Sequence, residues 1–130
     1  MRKLQGRGRY LNNRQTGAER EKQAADYLSG HGMKIVERNF RNRQGEIDII
    51  GYHEGYLVFV EVKYRKSQAK GAALAAVNMR KQCQICKVAD YYRYIHRLSD
   101  SIAVRYDVVA IQGEELQWLQ NAFHHVYTRH

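Results

Sequence analysis

The run Tyr56-Leu57-Val58-Phe59-Val60-Glu61-Val62-Lys63-Tyr64 carries the strongest strand signal in the chain, because β-branched and aromatic residues fill most of its positions. Side chains alternate between the faces of a strand. Val58, Val60 and Val62 therefore point one way, and Phe59, Glu61 and Lys63 the other. A carboxylate and an ammonium project together from the end of an otherwise apolar strand. Just upstream, Gly45 precedes Glu46-Ile47-Asp48-Ile49-Ile50, a second strand. The same alternation sets Ile47 and Ile49 on one face and Glu46 and Asp48 on the opposite one. His53-Glu54-Gly55 is a turn that predicts a hairpin of the two strands. In that hairpin Asp48 and Glu61 lie side by side, with Lys63 near them.

Working outward, residues 17–29 read as an amphipathic helix, with Ala24, Ala25 and Leu28 on its apolar face and Glu21 one turn before Ala25. Gly30 and Gly32 end it. Residues 33–39 form a first strand. Residues 72–96 are helical, since Leu74, Val77, Lys81, Ile85, Val88, Tyr92 and Ile95 recur at spacings of three and four. Residues 102–111 make another strand, Gly113 a turn, and residues 115–119 a last short strand. The order α-β-β-β-α-β-β predicts an α/β domain, a mixed central sheet flanked by helices. That domain spans 15–127. Residues 1–14 hold five basic residues and no acid, and read either as a solvated tail or as a phosphate-binding arm.

A chain of 130 residues fits one domain with a substantial core. Its formal net charge of +9 and pI of about 9.7 favour encounter with polyanions, of which nucleic acid is the commonest. A membrane is the weaker partner: no window approaches the ~18 apolar residues of a spanning helix. The basic N-terminus also lacks the apolar stretch of a signal peptide, so a cytoplasmic location is expected. Cys83 and Cys86 stand without a second cysteine pair in a helical pattern, and read as buried or half-buried helix residues rather than a zinc or redox site. Tyr91, Tyr92 and Tyr94 face different directions on a helix, which suits core and rim packing better than base stacking. His124, His125 and His130 read as part of a mobile tail.

Two close carboxylates raise each other's pKa, and a hard divalent cation relieves the repulsion. Mg²⁺ (or Mn²⁺) prefers oxygen and takes one or two protein carboxylates beside water and phosphate oxygens. Such an ion acidifies a bound water and neutralises charge on a phosphate under attack. A nearby ammonium orients that water or stabilises the developing charge. The competing reading is an ion pair of Lys63 with Glu61 or Asp48 on an exposed strand face.

Asp48, a gap, then Glu61-Val62-Lys63 resembles the motif of PD-(D/E)XK nucleases. The wider pattern goes further: EKQAADYL (21–28), ERNFRNRQGEIDII (37–50), LVFVEVKYR (57–65), Lys81, RYDVV (105–109) and NAF (121–123) resemble the YraN-like family of small bacterial proteins. The likeness spans about residues 17–123. That family is similar to archaeal Holliday-junction resolvases and other restriction-endonuclease-like folds. The resemblance implies that Asp48 and Glu61 are metal ligands, that Lys63 is the catalytic lysine, and that Glu21 completes the site directly or through water. It places Glu46 just outside the ligand shell. The chain departs from the family pattern at Arg20, where Gly usually precedes the helix glutamate, and at Tyr106, the middle of an Arg-Phe-Asp triplet.

Arg38, Arg41 and Arg43 cluster before the second strand, Arg65, Lys66 and Lys70 follow the third, and Lys81 sits among apolar helix positions. They are the candidates for phosphate contacts, with general solubility as the alternative; Lys81 also has the option of snorkelling from the packed face. Arg105 and Asp107 share a strand face and suit a structural ion pair. Three functions follow: a Mg²⁺-dependent endonuclease acting on phosphodiester bonds, with DNA ahead of RNA; a nucleic-acid-binding module that keeps the fold without cutting; and a protein-interaction subunit. A homodimer is expected by analogy with resolvases alone.

Overall fold

The computed structural model describes residues 13–65 and 77–127. Its elements run α1 (Asn13–Gly30), β1 (Lys34–Asn42), β2 (Gly45–His53), β3 (Tyr56–Arg65), α2 (Met79–Ile95), β4 (Val104–Gln112) and β5 (Glu115–Phe123). The five strands form one sheet in the order β1-β2-β3-β4-β5. Only β3 and β4 are parallel, as α2 carries the chain across between them; the other neighbours are antiparallel. The α-β-β-β-α-β-β order and mixed sheet stand as read, consistent with a restriction-endonuclease-like fold.

The pleat divides the core in two. Ala24, Ala25 and Leu28 of α1 pack with Ile49, Val58, Val60, Val109 and Ile111 on one face. Ile85, Val88, Ala89 and Tyr92 of α2 pack with Ile47, Ile50, Leu57, Phe59 and Val108 on the other. Helix α1 stops where Gly32 takes φ +99°, letting the Met33 N–H reach the Leu28 carbonyl at 3.0 Å. The β2–β3 hairpin closes through Glu54 and Gly55 at φ 51° and 86°, pairing His53 with Tyr56. Two left-handed residues match the twist of the strands they join.

Several boundaries differ from expectation. Helix α1 starts at Asn13, so Asn13 and Arg14 belong to it rather than to the arm. Val77 and Asn78 precede α2 instead of lying within it: the Asn78 side chain accepts the Lys81 backbone N–H at 3.0 Å and caps the helix. Residues 1–12, the basic arm, and 72–76, the start of the expected second helix, lie outside the described residues. Strand β5 runs four residues further than expected, pairing Phe123 with Tyr106. Ile47 and Ile49 do not share a face: Ile47 joins Ile50 in the α2-side core and Ile49 joins the α1-side core. The alternation slips at Asp48, where β2 leaves its pairing with β3 beyond Ile49–Val60.

Arg105 and Asp107 form the expected structural pair, with two 2.9 Å hydrogen bonds in the α1-side face of β4. Trp118 Nε1 and the Asn121 N–H also donate to Asp107, and His53 Nδ1 lies 2.9 Å from Arg105. Cys86 is buried and Cys83 half-buried, both free. Tyr92 is in the core while Tyr91 and Tyr94 are exposed. His125 is not part of a free tail. Its Nδ1 meets the Tyr106 hydroxyl at 2.6 Å and its Nε2 lies 3.5 Å from Asp90. His130 lies outside the described residues.

Candidate active site

Register brings the two strand acids together. The hairpin pairs Ile50 with Phe59 and Ile49 with Val60, so continuing it one step sets Asp48 against Glu61. Backbone pairing stops there, and Asp48 Oδ2 instead accepts the Val62 N–H at 2.7 Å. The side chain takes over where the β2 backbone departs. On the other side of β2, Asn39 lies between the pairs Arg38–Ile49 and Phe40–Ile47 with φ 55°. Asparagine tolerates this left-handed conformation better than most residues. From there its side chain hydrogen-bonds Glu21 of α1.

Four carboxylates act on one another here. Glu21 is 3.6 Å from Arg38, and Glu46 is 3.5 Å from Arg41. Glu61 Oε2 meets Lys63 Nζ at 3.0 Å and Lys81 Nζ at 3.6 Å. Asp48 has no ion pair among the described residues. Burial first, and then the Glu61 carboxylate, push its pKa up to about 8, against the pull of the Val62 N–H. Glu21 and Glu46 push in the same direction. Burial also raises Glu21, opposed by Asn39 and Arg38.

The Lys63–Glu61 pair is present, but not on an exposed face: the Glu61 side chain is 5% accessible. Buried ion pairs gain little net stability, because desolvation offsets attraction. The pair sits beside Asp48, which is half-buried and has no ion-pair partner among the described residues. Among the described residues no three His, Cys, Asp or Glu side chains are grouped to hold a metal. The donor set suits a hard cation that needs only two protein carboxylates and fills its shell with water and phosphate oxygens. Asp48 and Glu61 are the two carboxylates that could hold such an ion.

The remaining candidates sort by position. Arg38 and Arg41 stand beside carboxylates of the site. Arg43 and Arg65 are exposed, and Lys66 and Lys70 lie outside the described residues. Lys81 points into the centre rather than along the helix surface. Arg20 lies over the Tyr64 ring at 4.2 Å and donates to its hydroxyl at 3.2 Å; it ties α1 to β3 next to Glu21, so the departure at this position anchors the site helix. Asn39 joins the site from outside the expected set; an asparagine in a strand opposite Asp48 is the signal for its left-handed conformation. A separate concavity of about 500 Å³ involves Asp90, Arg93, Tyr106, Phe123 and His125. It includes none of the four carboxylates described above.

An α/β domain with acids on adjacent strands and a lysine two residues beyond the second is the class of protein defined here. The chain belongs to the Uncharacterised protein family UPF0102, the YraN-like family, whose model matches residues 20–111. That span contains Glu21, Glu46, Asp48, Glu61, Lys63 and Lys81. A UPF0102 protein of Lachnoclostridium phytofermentans is 45% identical over 113 residues, covering 87% of this chain and 96% of its own length. One from Alcanivorax borkumensis is 42% identical over 114 residues, covering 84% and 91%. A third, from Fusobacterium nucleatum, is 39% identical over 111 residues, covering 85% and 92%. No helix among the described residues is long and apolar enough to cross a membrane.

Proposed function

We propose that this protein is a metal-dependent nuclease that hydrolyses phosphodiester bonds, with Asp48 and Glu61 holding Mg²⁺ or Mn²⁺. The observation behind the reading is the contrast between the two acids. Among the described residues Asp48 is half-buried with no ion-pair partner, while Glu61 beside it is buried with two lysines. A bound divalent ion supplies charge neutralisation at the phosphate and an acidified water. The chain's own groups do the rest. Asp48 would hold the ion as a carboxylate, and the Val62 N–H fixes its orientation. Lys63, on the same strand face as Glu61, orients the attacking water or stabilises charge on the phosphate. Glu21 closes the α1 side, held by Asn39 and Arg38. Glu46 stands behind the ligands. The surplus of basic residues draws the polyanion in, with Arg43 and Arg65 exposed for phosphate contacts. The resemblance to junction resolvases favours DNA over RNA, branched DNA in particular, and a homodimer.

A second reading is a nucleic-acid-binding module that keeps the fold without cutting. The net charge of +9 supports it, since such a module needs only a basic surface. One experiment separates them. Labelled duplex, single-stranded and four-way-junction DNA, and RNA, are incubated with protein in Mg²⁺, Mn²⁺ or EDTA, alongside Asp48→Ala, Glu61→Ala and Lys63→Ala. The nuclease reading expects metal-dependent cleavage that drops at least ~100-fold in each variant. Salt-sensitive binding without cleavage assigns the module instead. Neither cleavage nor binding removes both and leaves the protein-interaction subunit.

A further inference from the structure

Lys81 is the third residue of α2, and the Asn78 cap fixes its backbone. It extends the core-facing stripe of Ile85, Val88 and Tyr92 toward the helix N-terminus, one turn before Ile85. A lysine there has its stem on the packed face and its ammonium at the end of the sheet. That ammonium lies 3.6 Å from Glu61 Oε2, the same oxygen that Lys63 meets at 3.0 Å. One ammonium is enough to neutralise one carboxylate. The second sets a further positive charge beside the oxygen that the proposed metal must take. Lys81 is also the more accessible of the two, at 31% against 19%, and has room to leave that contact.

We propose that Lys81 is a second cation of the reaction centre: it occupies Glu61 in the metal-free protein, and turns to a substrate phosphate oxygen once a divalent ion takes Glu61. This rests on the nuclease reading above and adds a competition to it. Lys81 and the metal contend for one carboxylate oxygen, so removing the ammonium favours the metal even as it weakens the hold on substrate. A purely structural ion pair that pins α2 to β3 predicts no such opposition.

The test titrates Mn²⁺ calorimetrically into the full chain, its Lys81→Met and Lys81→Arg variants, and Glu61→Ala as a control, with thermal melting to confirm folding. Lys81→Gln is the substitute if Lys81→Met does not fold. The expected result is Mn²⁺ binding about threefold or more tighter in Lys81→Met, because a competing charge is gone, with Lys81→Arg near wild type. In parallel, kcat/KM on the substrate that wild type cleaves best falls about tenfold or more in Lys81→Met and is largely restored in Lys81→Arg. Wild-type Mn²⁺ binding that is lost in Glu61→Ala but unchanged or weakened in Lys81→Met overturns the role of Lys81 and leaves the nuclease reading standing. Mn²⁺ binding found in neither wild type nor Lys81→Met overturns both.

Discussion

Asp48 on β2 accepts a hydrogen bond from the backbone of Val62 on β3, at 2.7 Å. Val62 lies between Glu61 and Lys63, so this one contact fixes the first acid of the site relative to the other two charged groups. It forms where β2 turns away from β3, and it gives the half-buried Asp48 carboxyl its orientation without supplying a countercharge.

That arrangement sets a pH dependence. The ordinary aspartate value is 3.8, and Asp48 in the fold is pushed up to about 8. Between these values the folded protein binds a proton that the unfolded chain has released. Stability contributed by this group is therefore highest at low pH and is lost as pH rises through that window. Asp48→Asn keeps an acceptor for Val62 and removes the titration. Near pH 8 without metal it is expected to be more stable than wild type by on the order of 2 kcal/mol, less than the full shift because Glu61 shares the titration. Near pH 4 the two proteins converge. Urea denaturation at both pH values measures the difference; an equal offset at each would locate the effect elsewhere.

Asn39 separates backbone conformation from side-chain function. Its φ of 55° suits glycine as well, so Asn39→Gly is expected to stay within about 0.5 kcal/mol of wild type, while Asn39→Ala loses about 1 kcal/mol to the left-handed strain. Both lose the hydrogen bond to Glu21. If that bond positions Glu21 for the reaction, cleavage falls equally in both, regardless of their stabilities. Activity that tracks stability instead assigns Asn39 to the fold alone.

The hairpin was legible because its signals are local. A strand rich in β-branched residues, a Glu-Gly turn and a two-residue period set the register that brings Asp48 to Glu61. The face of Asp48 was not legible in the same way. Strict alternation grouped Ile47 with Ile49, whereas the strand slips at Asp48, and a slip answers to the neighbouring strand rather than to the strand's own sequence. The role of Asn39 is hidden for the same reason, since its conformation matters only once β1 is paired with β2. The charges of Arg38, Arg41 and Lys81 were visible, but their carboxylate partners come from other elements and needed the tertiary structure. Val77 fits the helical period and draws the expected start of α2 upstream, while the Asn78 cap decides where the helix begins.

The Arg105–Asp107 pair supports the domain away from the chemistry. Asp107 is fully buried and accepts from Arg105, Trp118 and Asn121. Asp107→Ala leaves a buried guanidinium without its carboxylate and is expected to cost about 3–5 kcal/mol. Exposed ion pairs weaken in salt, but a buried one is screened little, so the loss should be nearly the same at low and high ionic strength. Urea unfolding followed by Trp118 fluorescence reports it. A loss below 1 kcal/mol would show that water replaces the missing carboxylate.

Gly51 connects the core of β2 to the irregular part of β1. A Cβ at this position would lie 2.8 Å from the Lys34 carbonyl oxygen and 2.8 Å from Met33 Cγ. The methionine side chain is able to shift, but the carbonyl belongs to backbone that pairs across the sheet: Lys34 faces Tyr52 and Ile35 faces Gly51, just before the β1 register shift. Gly51→Ala therefore has to push β1 away, at an expected cost of about 1–3 kcal/mol. The displacement runs along β1 toward Asn39 and Arg38, the two residues that hold Glu21. Melting temperature and cleavage are thus expected to fall together in Gly51→Ala, although the substitution touches no residue of the site. Wild-type cleavage in a destabilised Gly51→Ala would mean that β1 absorbs the shift before it reaches Arg38.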